Sequence, residues 1–218
     1  SFKPYPGNPR YFLGGVDDGT QQSGPVYIWN WDGSDDMEYT RLGGPVVEVD
    51  CHDITMAYEG GAFWAWVHDS SNECGLKKVN ASTGRQMKYY RFEKCESEIF
   101  ADINHVHFLE KDTIAVISSR YSNSFVKVNL TSLSIMWVCG GDQGDFDIID
   151  ENGIRFGKGV SLWKGQHNVE YIGNSEYLLF DDHYAETDGK STRGANESRA
   201  LLVKIDEEVM SAKILRSQ

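Results

Sequence analysis

The chain is poor in several things at once. It has 5 Pro and 4 Cys in 218 residues, and 21 Lys and Arg against 33 Asp and Glu, a formal net charge of −12. The shortage of basic residues argues against a nucleic-acid partner, which selects a basic face. No stretch reaches the roughly 20 apolar residues of a spanning helix, so no membrane span is expected. Cys51, Cys74, Cys95 and Cys139 are too far apart for a compact zinc module. No window shows a capped helical period. With so little proline, the 22 Gly together with Asn and Asp must make most of the turns. What is present is a 40% hydrophobic fraction with 6 Trp, 11 Tyr and 10 Phe, enough for a packed core.

Internal periodicity dominates the sequence. One unit runs Cys51–Tyr58, Phe63–Asp69, Leu76–Asn80 and Gln86–Phe92. A second runs Asn104–Leu109, Thr113–Ser119, Phe125–Asn129 and Ser134–Gly140. A third runs Gln166–Ile172, Glu176–Asp182, Leu201–Asp206 and Ser211–Ser217. Each reads as four short β-branched and aromatic strands separated by turn residues. Their third strands end Lys-Val-Asn, Lys-Val-Asn and Lys-Ile-Asp, which supports the alignment independently. Ahead of them stands a partial unit, Tyr11–Val16, Val26–Trp31 and Met37–Leu42, with no leading strand before residue 11.

Repeated four-strand units of this length are the signature of β-propeller blades. The expected fold is therefore all-β, with blades at about 10–43, 46–93, 99–140 and 160–217. Residues 1–218 then form one propeller portion of three and three-quarter blades. Because an open ring leaves unpaired edges, a second chain or a missing segment is expected to complete it. A closed four-blade ring with one short blade is the alternative.

The chain opens on Ser1 with no signal peptide, as expected of a trimmed secreted or luminal protein. Three Asn-x-Ser/Thr tripeptides, at Asn80, Asn129 and Asn196, are candidate glycosylation sites. Cys74 precedes the third strand of its unit and Cys95 follows the fourth, so a hairpin turning at residues 80–85 would bring them together as a disulfide; free buried thiols are the alternative.

His52, His105 and His167 open the first strand of successive units, at intervals of 53 and 62 residues. Innermost strands would gather the three imidazoles at one mouth of the channel, unless they merely cap a strand shared by all blades. His107 follows two residues after His105 and shares its side of the strand. His68 and His183 have no such registration and read as ordinary. A ring of imidazoles suits either a metal ion or an oxyanion. Arg199, opening the third strand of the last unit, favours the oxyanion.

At these residues the sequence resembles the bacterial arylsulfate sulfotransferases, a family with a six-bladed, PQQ-enzyme-like β-propeller. The resemblance is carried by Asp102-Ile103-Asn104-His105-Val106 with Ser118-Ser119-Arg120 after it. It continues through Trp137-Val138-Cys139-Gly140-Gly141, Asp145-Phe146, Gln166-His167 and Phe180-Asp181, and ends at Ser198-Arg199. It covers residues 100–218; before them only His52-Asp53 matches. It implies a six-bladed ring and sulfuryl transfer from an aryl sulfate to a phenolic acceptor through a sulfohistidine, with no cofactor and no metal. It places His105, His167 and Arg199 at catalytic positions, and His52, Asn168 and Asp181 at substrate-binding positions. Two departures stand out: Asp182 where the family has Asn, and Asn168 where it commonly has Thr. The family's nucleophilic histidine lies in a blade after the Ser-Arg strand and has no counterpart up to Gln218, so it is expected either on a missing segment or to be lost in this relative. Two further readings stay open, a non-catalytic propeller that binds a protein or glycan, and a His-ring metal-dependent lyase. The loops 142–162 and 183–198 are expected either to overhang the channel mouth or to be plain surface.

Overall fold

The computed structural model describes residues 2–5, 10–15, 23–24, 26–30, 40–41, 49–50, 52–68, 74–92, 98–100, 102–187, 190–193 and 198–218. They are organised as sheets that are antiparallel but for one pairing, and the helical content among them is one 3-10 turn, Glu98–Phe100. Two compact units are present. One is Ser1–Cys95 with Glu110–Asp112; the other is Glu96–Leu109 with Thr113–Gln218.

The first unit holds two four-stranded sheets, besides the short pair Ser23–Gly24 with Val49–Asp50. In one, Phe2–Pro4, Tyr11–Gly15, Val26–Asn30 and Thr40–Arg41 pair in that order. The expectation of a partial blade beginning near residue 10 is corrected here. Phe2–Pro4 supplies the leading strand, with Phe2 opposite Gly14 and Pro4 opposite Phe12. A three-residue strand ending in proline carries no alternation to read, and proline is tolerated there because the strand is an edge. In the other sheet, Ile54–Met56, Ala62–His68, Cys74–Asn80 and Gln86–Phe92 follow the same meander. Leu13, Val26, Ile54, Phe63 and Val79 form the buried cluster of this unit.

The second unit begins with the meander Ile103–Leu109, Ser124–Asn129 and their partners Ile114–Ser119 and Ser134–Gly140. The last sheet has six strands. Four of them, His167–Gly173, Glu176–Asp181, Arg199–Asp206 and Ser211–Ser217, repeat the meander. Asp147–Ile149 then adds parallel to Ser211–Ser217, and Arg155–Gly157 pairs with it. The segment 142–162 is therefore not a free overhanging loop; its middle extends the sheet and covers the edge that Ser211–Ser217 would otherwise expose. The segment 183–198 likewise contains a hairpin, Tyr184–Thr187 with Lys190–Arg193.

Aromatic side chains join the two large sheets of this unit. Phe125 lies 5.8 Å from Trp137 and 5.6 Å from Tyr177, and Trp137 meets Phe146 edge-on at 5.3 Å and 84°. All four are buried. Burial of each such side chain is worth about 2–3 kcal/mol, with up to about 1 kcal/mol more for ring geometry.

The repeated third-strand endings have a local cause. Asn80 Oδ1 accepts the amides of Ser82 and Thr83, Asn129 Oδ1 those of Thr131 and Ser132, and Asp206 Oδ1 those of Glu208 and Val209. Each closes the turn into the fourth strand with a side-chain oxygen, work that Asn and Asp share.

Candidate functional site

The candidate catalytic and substrate-binding residues of the second unit lie at the same end of its sheets, where first and third strands begin and second and fourth strands finish. His105 is buried near the start of Ile103–Leu109, opposite Ser118. His167 opens His167–Gly173, opposite Phe180, and is half-buried. Both strands break register at that point. Ile103 pairs with Ser119 but His105 with Ser118, and a second shift separates His167 from Glu170. Asn168, inside that second shift, has φ +50° and an exposed side chain. The left-handed region tolerates Asn better than most residues, so backbone shape accounts for the residue type there. An extra residue of this kind re-aims its neighbours, and here the neighbours are the two histidines.

A buried amide network holds the two histidine-bearing strands together. Gln166 is fully buried; its Nε2 donates to Ser124 O at 2.7 Å and Ser119 O at 2.8 Å, and its backbone carbonyl accepts Asn104 Nδ2 at 2.7 Å. The residue before His105 is thereby bonded to the residue before His167. Each bond contributes about 1 kcal/mol net, and leaving such a group unsatisfied costs more.

Asp181 and Arg199 face each other across adjacent strands. The Asp181 carboxylate has no exposed surface. It accepts Arg199 Nε at 2.9 Å, the Lys164 amide at 2.9 Å and the His183 amide at 3.0 Å, with His183 Nδ1 at 3.4 Å. The rest of the guanidinium donates to Leu162 O at 2.5 Å and Ser217 Oγ at 3.5 Å. Arg199 is thus anchored through all three guanidinium nitrogens while its side chain keeps 29% exposure. A buried carboxylate behind a partly exposed guanidinium fixes a positive fork in place, the arrangement that binds a planar or tetrahedral oxyanion.

Beside these groups, at the same end of the unit, a cleft of about 580 Å³ is lined by Asp102, Arg120, Ser124, Gly141, Trp163 and Lys164 among others. Arg120 donates to Asp102 at 3.0 Å on its rim. Gly141 sits at φ +67°, and a Cβ there would lie 2.2 Å from Ser122 O, so glycine is required. Cys139, behind this wall, is free and fully buried, and burial with the nearby Asp145 charge pushes its thiol well above the usual range.

Other expected residues fall elsewhere. His52 belongs to the first unit, in an exposed turn before Ile54–Met56. Asn80 and Asn129 lie in hairpin turns. Asn196 and Cys95 lie outside the described residues. Among the described residues, no group of three or more His, Cys, Asp or Glu is arranged to hold a metal ion. The sequence reading missed His183, which contacts Asp181, and the part played by Gln166. His183 was legible only as the residue two positions after Asp181.

A family model for arylsulfotransferase (ASST) matches residues 99–217. Among solved structures, one from Bacteroides uniformis, provisionally named a 6-phosphogluconolactonase, shares 10% identity at a TM-score of 0.40 over 95% of this chain and 82% of its own. No curated protein gives a significant match.

Proposed function

Since the chain belongs to the arylsulfotransferase family, we propose that it moves a sulfuryl group from an aryl sulfate to a phenolic acceptor through a sulfohistidine. The observation that carries this reading is the anchored fork of Arg199, set at the same end of the unit as His105 and His167. In sulfuryl transfer, as in phosphoryl transfer, charge spreads over three equatorial oxygens of a loose transition state, and catalysis is largely positioning and neutralisation. Arg199 binds two of those oxygens. His105 and His167 donate to the oxygens or to the bridging phenol oxygen. Asp181 acts through Arg199, and Asn168 contacts the substrate's outer parts. A histidine nitrogen attacks sulfur as the S–O(aryl) bond breaks, and the acceptor phenol later takes the group by the reverse displacement.

The four-strand sheets are read as blades of a six-bladed propeller with the site in its channel. Another chain or segment completes the ring. The last sheet supports this with an open apolar face, where Ile172 is 53% exposed, Phe180 44% and Leu178 42%. An exposed patch of this kind marks a contact surface. Secretion and glycosylation at Asn80, Asn129 and Asn196 belong to the same reading. So does the Cys74–Cys95 disulfide, which is supported by Cys74 being a bonded half-cystine.

The test is transfer from 4-nitrophenyl sulfate to phenol by the purified protein and by Arg199→Ala. A fall in kcat/KM of about 10²–10³-fold is expected for loss of one oxyanion clamp. Unchanged turnover would remove Arg199 from the mechanism.

A further inference from the structure

Beside the Arg199 fork stands a group that the family positions do not require. His183 follows the strand Glu176–Asp181 by two residues, and its backbone is left-handed at φ +48°. Non-glycine residues rarely hold that conformation, and where they do the surrounding contacts impose it. Here Asp181 imposes it. One carboxylate oxygen accepts the His183 amide at 3.0 Å while the other lies 3.4 Å from Nδ1. The same carboxylate holds Arg199 Nε at 2.9 Å. One buried acid therefore positions a guanidinium and an imidazole together, the ring being 23% exposed.

Ring tautomer follows from this geometry. A carboxylate that already accepts Arg199 accepts again from Nδ1, so Nδ1 carries a proton and proton exchange with a substrate runs through Nε2. Resting on the sulfotransferase reading, we propose that His183 is a further catalytic residue, the proton carrier for the bridging aryl oxygen. In the first half-reaction the nucleophilic nitrogen forms its bond to sulfur, the S–O(aryl) bond breaks, and the electron pair leaves on the aryl oxygen. The Nε2 proton of the imidazolium passes to that oxygen, giving a neutral phenol and a neutral His183. In the second half-reaction Nε2 takes the hydroxyl proton of the acceptor as its oxygen attacks sulfur, which restores the imidazolium. Protons and charge balance over the cycle, and no other reactant is needed.

A proton carrier is felt only where the leaving oxygen needs a proton. The experiment compares two donors, phenyl sulfate, which leaves as a strongly basic phenolate, and 4-nitrophenyl sulfate, which leaves as a weakly basic one. The variant is His183→Asn, because Asn tolerates the left-handed backbone but cannot relay a proton. Expected is a loss of about 10²-fold or more in kcat with phenyl sulfate and less than about threefold with 4-nitrophenyl sulfate. Arg199→Lys serves as the contrast and should slow both donors alike. Equal loss with both donors, or no loss with either, would overturn the role of His183 while leaving the sulfotransferase reading in place. Absence of transfer by the wild-type protein from either donor would overturn that reading and this role with it.

Discussion

Replacing Asp181 by Asn probes the site's foundation, because it keeps the shape and removes the charge. The native carboxylate receives three donors at 2.9–3.0 Å and is closed off from solvent. The neutral Asn carbonyl accepts from the Lys164 and His183 amides more weakly than the carboxylate does, and its NH2 points at Arg199 Nε–H, a donor against a donor. Breaking a fully buried pair costs about 3–5 kcal/mol. The Arg199 side chain is 29% exposed and can partly rehydrate, so a loss of about 2–3 kcal/mol is expected. Urea unfolding measures it, and amide hydrogen exchange localises it, since the Lys164 and His183 amides should lose protection. Turnover should fall roughly 10²-fold as the fork drifts. A loss under about 0.5 kcal/mol, with both amides still protected, would show that Asp181 does not hold this corner.

Three further outcomes follow from the same geometry. Gly141→Ala should cost more than about 2 kcal/mol in urea unfolding, because its Cβ meets Ser122 O at 2.2 Å, whereas Gly153→Ala, at φ +86° in open space, should cost about 1 kcal/mol. Cys139 should resist a thiol reagent until the protein is unfolded, since burial suppresses its thiolate. The phenol of Tyr177 is pushed up from 10.0 by burial, so the folded state keeps its proton where the unfolded chain has lost it. Its contribution is present below pH 10 and declines above it by up to about 1.4 kcal/mol per pH unit, which alkaline unfolding curves would show.

The repeat made most of the sheets legible. Alternating β-branched and aromatic residues placed the strands of 54–140 and 167–217 within two or three residues of where they lie. Phe2–Pro4 escaped because three residues show no period and proline argues against a strand. The strands at 147–149 and 155–157 escaped because their acidic, glycine-rich surroundings read as loop, while their pairing comes from a distant partner, Ser211–Ser217. At the site, the histidine register was visible as spacing. The Asp181–Arg199 pair was visible only as two separate residues, because their contact is set by strand register across an 18-residue gap. Gln166 needed three dimensions, since its partners come from three other strands. The sequons at Asn80 and Asn129 had a second cause that sequence alone could not separate, the Asn carbonyl that closes each turn.

The central claim is a covalent sulfuryl group on a histidine. The most direct test is the intact mass of the purified protein, with any chain that accompanies it, before and after incubation with excess 4-nitrophenyl sulfate. A gain of one sulfuryl group, mapped to a histidine and discharged by phenol, is the predicted result. No gain, from material shown to contain a complete ring of blades, would contradict the account and leave a binding protein built on this scaffold.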